Sequence, residues 1–420
     1  MSSYKLLAVT EHFWPENNII CDILGGLKGR GFKIDILCGQ PNLPNGEFMK
    51  GYSTFHVGES KKDGMRIFRV ADLKPGNFTG FRLFFRYILF PLSVLIHSGK
   101  LIKNKYDGVL VFQTDPVTCC LPANKIGKKL GVPVIICAQD VWPSYAYSML
   151  EAQDELFKKF LKFITKRCYG KADTIIFNSA KAMQAMLSEI KTDVKTKVVP
   201  LYSEAEFEIP ESNDDLTEYF AGSFNIVYTG NFSKYDGILV LVEAAEKLAL
   251  DRIKDIRFII LGDGQYKRDV RDFVVKKGLS DYFFFEGHKK PSDLRKYINI
   301  ADALCCGKMI DASVSGEHSV NIARFQAMGK PMLLFGGEEA REVIRNKKAG
   351  FYSEPGDSKG LYENIRYLYK MPRAERIKLE DTIKKSQDNE EKREAFLDCI
   401  EECFSGAEDE NSSLKNIWDI

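Results

Sequence analysis

The residues best suited to chemistry fall into two groups, one in each half of the chain. Asp140 follows the apolar run Val134 to Cys137, which reads as a strand. Its carboxylate therefore stands at a carboxyl-terminal strand edge, where parallel α/β sheets bind ligands. Such a carboxylate can orient an acceptor hydroxyl or take its proton, or it can simply cap the next turn. Trp142-Pro143 would fix its loop. Glu16 and His12 lie on the loop after the first strand, with the same choice between acid–base work and loop surface. The second group begins with the strand-end glycines Gly230, Gly262 and Gly264. A strand ending in glycine lets phosphates approach backbone N–H groups at the start of the next helix. Further on, Ser315-Gly-Glu-His-Ser319 precedes a helix predicted over Val320 to Met328. Its N–H groups could bind a diphosphate, or Ser319 could be an ordinary N-cap.

Two nucleotide-binding halves are needed to position these groups. In each, apolar strand runs alternate with helical patterns, which is the signal of parallel βαβ units. Strands are expected at 4–10, 32–38, 108–113, 133–137, 173–177 and 197–200, with helices near 19–30, 81–103, 119–130, 152–170 and 180–189. The Pro-, Asn- and Gly-rich stretch 39–62 reads as a long binding loop. The second half offers strands at 224–229, 257–261, 282–286, 302–306, 331–335 and 350–352, then a helical pattern from about 358. The expected organisation is an N-terminal domain over 1–202, an acidic linker over 203–223 and a second domain over 224–370. Helices over 371–405 that cross back to the first domain follow, and then a polar tail, 406–420.

A chain of 420 residues exceeds what one core usually supports. Its 28% charged and 45% hydrophobic residues are ordinary for a soluble protein. The net charge of +2 gives no sign of a nucleic-acid partner, and none is expected. Charge is uneven, however. Between Lys74 and Tyr106 there is no acidic residue, and Arg82, Arg86, Lys100, Lys103 and Lys105 interleave with aromatics. That segment, 77–105, is expected to touch a membrane peripherally, unless its aromatics pack the first core. Its most apolar part is too short to span a bilayer. The ten cysteines include the doublets Cys119-Cys120 and Cys305-Cys306 and no Cys-x-x-Cys. Reduced, buried thiols in a cytoplasmic protein at the inner face of the membrane are expected. The histidines show no metal-ligand spacing.

Gly230-Asn231, Leu261-Gly-Asp-Gly264, Glu286-Gly287, Ala301-Asp302 and Gly329-Lys-Pro331 occur in that order. As an ordered set they resemble the donor half of the family 4 retaining glycosyltransferases. Pro15-Glu16, Arg30-Gly31-Phe32, Gln40 to Gly46 and Gln139-Asp140-Val-Trp-Pro-Ser144 are similar to that family's bacterial polysaccharide branch. The resemblance covers roughly residues 4–370. It implies an α/β protein of the GT-B fold, with two Rossmann-like domains whose parallel sheets face a central cleft. It also implies transfer of a sugar from a nucleotide diphosphate sugar to a glycan or lipid-linked acceptor, with retention and without a metal or other cofactor. Asp140, Glu16 and His12 are then the candidate catalytic residues. Gly230, Asn231, Lys234, Gly262, Gly264, His288, Lys289, Lys308, Glu317, His318, Ser319, Val320 and Arg324 are candidates for the donor.

Three departures matter. Where relatives grip the diphosphate with Arg and Lys, this chain has Asn231 and Asp236, with Lys234 between. Asn17-Asn18 replaces a Gly-Gly. The family's ribose-binding glutamate is Arg324, and Glu317 lies one position off the spacing of that acid pair. Arg324 could reach the diphosphate and restore the missing charge, or turn to solvent or a surface carboxylate. The departures leave a catalytically silent relative as the alternative. A nucleotide-sugar 2-epimerase, served only by Glu317 and His318, is the third reading.

Overall fold

The computed structural model describes residues 4–405 apart from 17, 43–46, 74–80, 102–103, 115, 150–153, 231, 233–236, 265, 310–315 and 387. The chain divides into two compact units. One comprises residues up to Pro200 together with Val314–Gly316 and the chain from Lys392; the other comprises Leu201–Ser313 and Glu317–Glu391.

The first unit is built on eight strands: β1 (Lys5–Thr10), β2 (Lys33–Cys38), β3 (Gly58–Lys62), β4 (Met65–Arg69), β5 (Gly108–Gln113), β6 (Val134–Ala138), β7 (Thr174–Phe177) and β8 (Lys195–Val198). Their order is β3-β4-β2-β1-β5-β6-β7-β8, and all neighbours are parallel except the β3–β4 hairpin. The chain winds outward in both directions from the β1–β5 pair, so the topological switch point lies there. β1 and β5 to β7 are buried almost throughout, as expected of strands covered on both faces. One face of the sheet packs on helices Phe81–Leu101, Cys120–Leu130 and Glu155–Tyr169. The end of helix Asn389–Ser405 also belongs to this unit. Its Arg393 and Leu397 close on Gly26, its Phe404 closes on Gly108, and Arg30 is hydrogen bonded to Asp398 (2.6 Å) and Glu401 (3.2 Å).

The second unit holds β9 (Phe224–Thr229), β10 (Ile256–Leu261), β11 (Phe283–Phe285), β12 (Ala303–Gly307), β13 (Met332–Phe335) and β14 (Gly350–Ser353), ordered β11-β10-β9-β12-β13-β14 and all parallel. Its switch point lies between β9 and β12. Residues 203–223, expected as a linker, are ordered structure of this unit. They hold a 3-10 turn, Ala205–Glu208, and a short helix, Asp214–Tyr219, and bury Phe207 and Phe220.

Several elements differ from the sequence reading. The expected loop 39–62 ends in β3, which pairs with β4. Helix Ser144–Met149 was not expected, and β8 starts two residues early. The helix expected from Val320 begins at Gly316. The expected tail, 406–420, lies outside the described residues. All ten cysteines are free, and all but Cys21 and Cys403 are buried.

Candidate functional site

In the second unit the strand ends crowd their glycines against backbone. A Cβ on Gly262 would lie 1.9 Å from the Gly230 carbonyl oxygen, and one on Gly264 would lie 2.7 Å from that of Phe232. The Gly230 N–H donates to Leu261 O (3.3 Å), Gly262 N–H to Gly287 O (3.0 Å) and Gly264 N–H to the Asp263 carboxylate (2.9 Å). These amides are therefore committed within the protein. The glycines bring the ends of β9, β10 and β11 together, and a phosphate would have to meet other groups. Asp263 also accepts from Lys267 at 2.6 Å. Burial opposes ionisation of Asp263, but the Lys267 and Gly264 donors outweigh it and hold its pKa below the usual value.

Those other groups gather beyond β12 and β13. Lys308 follows β12, and helix Gly316–Met328 begins after it. The first three residues of that helix, 316–318, present N–H groups without intrahelical acceptors and the positive end of the helix dipole. Ser319 therefore lies inside the helix and does not cap it, and Val320 follows it inward, both buried. His318 is 2% exposed. Burial first, then the nearby Lys308 charge, depress its pKa to about 3, with a hydrogen bond to the Gly336 backbone opposing. Its Nε2 is buried and has no protein partner among the described residues. A neutral imidazole beside an ammonium group suits hydrogen bonding to a ligand, not proton transfer near neutral pH. His288, after β11, is pulled down to about 4 although it is partly solvent-exposed. Surrounding protein is the first cause and the Arg324 charge the second, with Asp263 opposing. Lys289 pairs with Glu286 (3.3 Å) and lies over the Tyr297 ring.

Arg324 makes a forked pair with Glu204. Its Nε donates to Oε2 at 2.9 Å, its Nη2 donates to Oε1, and its guanidinium stacks over Phe207. The Glu204 side chain is only 8% exposed. Arg324 thus turns neither to solvent nor to a surface acid, as the sequence had allowed, but to a buried carboxylate. Asn231, Lys234 and Asp236 lie outside the described residues, as does the side chain of Glu317.

In the first unit, His12 Nδ1 and Glu16 Oε2 are 3.1 Å apart, and both residues are buried. Glu16 Oε1 accepts from the Asn42 N–H at 2.5 Å, so this carboxylate ties the loop after β1 to the loop after β2. Asp140 follows β6, two strands away across β5, roughly 10 Å at the usual strand spacing. The buried Gln113 holds its loop. Its Nε2 donates to Asp140 O (2.9 Å), and its Oε1 accepts from Tyr169 Oη (2.5 Å). Sequence reasoning missed Glu204, Gln113, Asn42 and Lys267. Only Lys267 carried a local signal, its i,i+4 spacing from Asp263. Among the described residues no three His, Cys, Asp or Glu side chains come together as a metal site would need.

Residues 217–388 match the family described as glycosyl transferases group 1. Over 240 residues the chain is 24% identical to the alpha-monoglucosyldiacylglycerol synthase of Streptococcus pneumoniae, which is 54% of this chain and 52% of that protein. The chain thus spans about half the length of that curated relative. Among solved structures it superposes on the sucrose-phosphate synthase of Thermosynechococcus elongatus with a TM-score of 0.72 at 15% identity, covering 96% of this chain and 100% of that one. The Anabaena protein HepE in complex with UDP and glucose gives 0.67 at 14%, covering 96% and 100%. Two Rossmann-like domains with parallel sheets, in the GT-B fold, are common to all three structures. The stretch 217–388 thus matches a group 1 glycosyltransferase domain within a chain of that fold.

Proposed function

We propose that this protein transfers a sugar from a nucleotide diphosphate sugar to a glycan or lipid-linked acceptor, with retention of anomeric configuration and without a metal. The observation that carries the reading is the grouping of Lys308, His318 and the first turn of helix Gly316–Met328 beside the β9–β12 switch point, inside the family-matching stretch. An ammonium and a helix N-terminus neutralise a leaving diphosphate, and His318 Nε2 hydrogen bonds the donor. Retention follows the resemblance to family 4. That HepE binds UDP and glucose supports a nucleotide-sugar donor. The pneumococcal relative's name supports a lipid acceptor, which a peripheral contact of 77–105 with the inner face of the membrane would bring within reach. Asp140 is the acceptor-side carboxylate, with His12 and Glu16 shaping the neighbouring loop.

One observation favours a second reading, a silent relative that binds a sugar nucleotide or serves as a partner subunit. Arg324 is engaged by Glu204, so it does not simply replace the cations missing at Asn231 and Asp236. The epimerase reading is weakened, because a histidine with a pKa of about 3 makes a poor acid or base near neutral pH. Donor turnover by the purified protein separates these readings. For the transferase, Asp140→Asn is expected to keep donor affinity and lower turnover by about 10²–10⁴-fold. Full activity in that variant would remove Asp140 from the mechanism. Donor binding without turnover in the wild type would favour the silent relative.

A further inference from the structure

The three helices on one face of the eight-stranded sheet lie side by side, with Cys120–Leu130 packed against both Phe81–Leu101 and Glu155–Tyr169. Phe90, Val94, Ala123, Ile126, Leu161 and Cys168 face the sheet, so the opposite sides of all three helices look away from it in a common direction. On the first and third helices those outer sides are apolar, while the middle helix exposes Leu121 with Lys125, Lys128 and Lys129. Phe85, Ile88, Leu92 and Ile96 follow one another at helical spacing on the first helix, exposed by 49%, 38%, 48% and 66%. On the third, Leu156, Phe160 and Phe163 stand at i, i+4 and i+7, directly opposite the buried Leu161, Thr165 and Cys168, and are 75%, 48% and 59% exposed. An amphipathic helix in a water-facing layer should be polar there. The three helices carry eleven lysines and arginines and a single acidic residue, Glu155, in a chain whose net charge is +2. Lys159, Lys166 and Arg167 are exposed and flank the apolar line of the third helix.

We propose that this three-helix layer is a docking surface for an anionic lipid bilayer, with helix Glu155–Tyr169 as its principal basic element. Exposed aromatic and aliphatic side chains bordered by cations match the boundary between acyl chains and acidic headgroups. A second copy of this chain is the poorer occupant, because a face of one sign repels itself. The surface extends the contact expected of 77–105 to two further helices. It does not depend on the donor reading, since lipid binding needs no nucleotide. No described helix is long and apolar enough to cross a membrane, so the contact is interfacial.

The full chain is sedimented with vesicles of phosphatidylcholine alone and with vesicles containing phosphatidylglycerol, at low and high salt. Binding is expected only with the anionic vesicles, and salt should weaken it. The variant Lys159→Gln/Lys166→Gln/Arg167→Gln is expected to lose on the order of a hundredfold in affinity, with its melting temperature unchanged. Leu156→Ser/Phe160→Ser/Phe163→Ser should lose binding as well. Should the serine variant misfold, the glutamine variant decides alone, because its side chains lie in solvent. Three results would overturn the proposal: equal binding to neutral vesicles, wild-type binding by the glutamine variant, or no binding to anionic vesicles at low salt, in which case a dimer that the serine variant abolishes would identify a second copy as the occupant.

Discussion

The forked contact between Arg324 and Glu204 joins the segment entering the second unit to the helix that follows Lys308, and both partners are largely withdrawn from water. Removing one partner of such a pair leaves a buried charge uncompensated, which typically costs about 3–5 kcal/mol, whereas replacing both by apolar groups is often neutral. Arg324→Ala is therefore expected to destabilise the second unit by about 3–5 kcal/mol in urea titration, and Arg324→Met/Glu204→Leu by far less. A loss below about 1 kcal/mol in the single variant would mean that the pair is solvated and weak. His318 gives a second test at this scale. Its folded pKa of about 3 lies below the ordinary histidine value, so the unfolded chain binds the proton first as pH falls. Its contribution is complete above about pH 6.5 and drains away toward pH 3 at about 1.4 kcal/mol per pH unit. In chemical denaturation from pH 7 to 4, wild type should therefore lose stability more steeply than His318→Gln. Parallel curves would refute the buried neutral imidazole.

At the level of elements, the C-terminal helix is a structural member of the first unit. Phe396, Leu397, Ile400 and Phe404 are buried, and Gly108 is small where Phe404 lies against it, so that an added Cβ would meet the ring at 2.2 Å. Gly108→Ala is expected to destabilise the first unit by about 1–3 kcal/mol, as overpacking usually does. Phe404→Leu in the same chain should recover part of that loss, and an additive double variant would place the strain elsewhere. The strands that form both switch points were legible in the sequence because buried parallel strands are almost continuous apolar runs, as in Leu6 to Val9 and Val109 to Phe112. β3 was not, because it is a polar edge strand, Gly-Glu-Ser-Lys-Lys, with its middle three residues exposed. The one available cue was Asp63-Gly64, a two-residue turn with both φ angles positive (49° and 78°), which closes the hairpin between Lys62 and Met65. The start of helix Gly316–Met328 was misplaced because Ser319 looks like a cap. An earlier glycine gives no side-chain signal of its own.

For the molecule as a whole, the sequence carried the number of sheets and the ordered glycines, but not the contacts that specify the candidate site. Glu204 lies 120 residues before Arg324, and no local pattern pairs them. Gln113 supports the Asp140 loop from a neighbouring strand, which only the β5–β6 register reveals. What the division into two units does predict is a separation of ligand effects. Each unit has its own core, so two unfolding transitions are expected, and a ligand that binds only one folded unit shifts only that unit's transition. Lys308, His318 and the helix from Glu317 onward lie in the unit made of Leu201–Ser313 and Glu317–Glu391. A nucleoside diphosphate at a hundredfold excess over its Kd should therefore stabilise that unit by about 2.7 kcal/mol and leave the other unchanged. Calorimetry with and without the nucleotide reads this directly, and Arg324→Ala and Gly108→Ala each identify one transition by lowering it alone. If the nucleotide raised the Gly108-sensitive transition instead, the donor would belong to the first unit. The two halves of the proposed function would then exchange places.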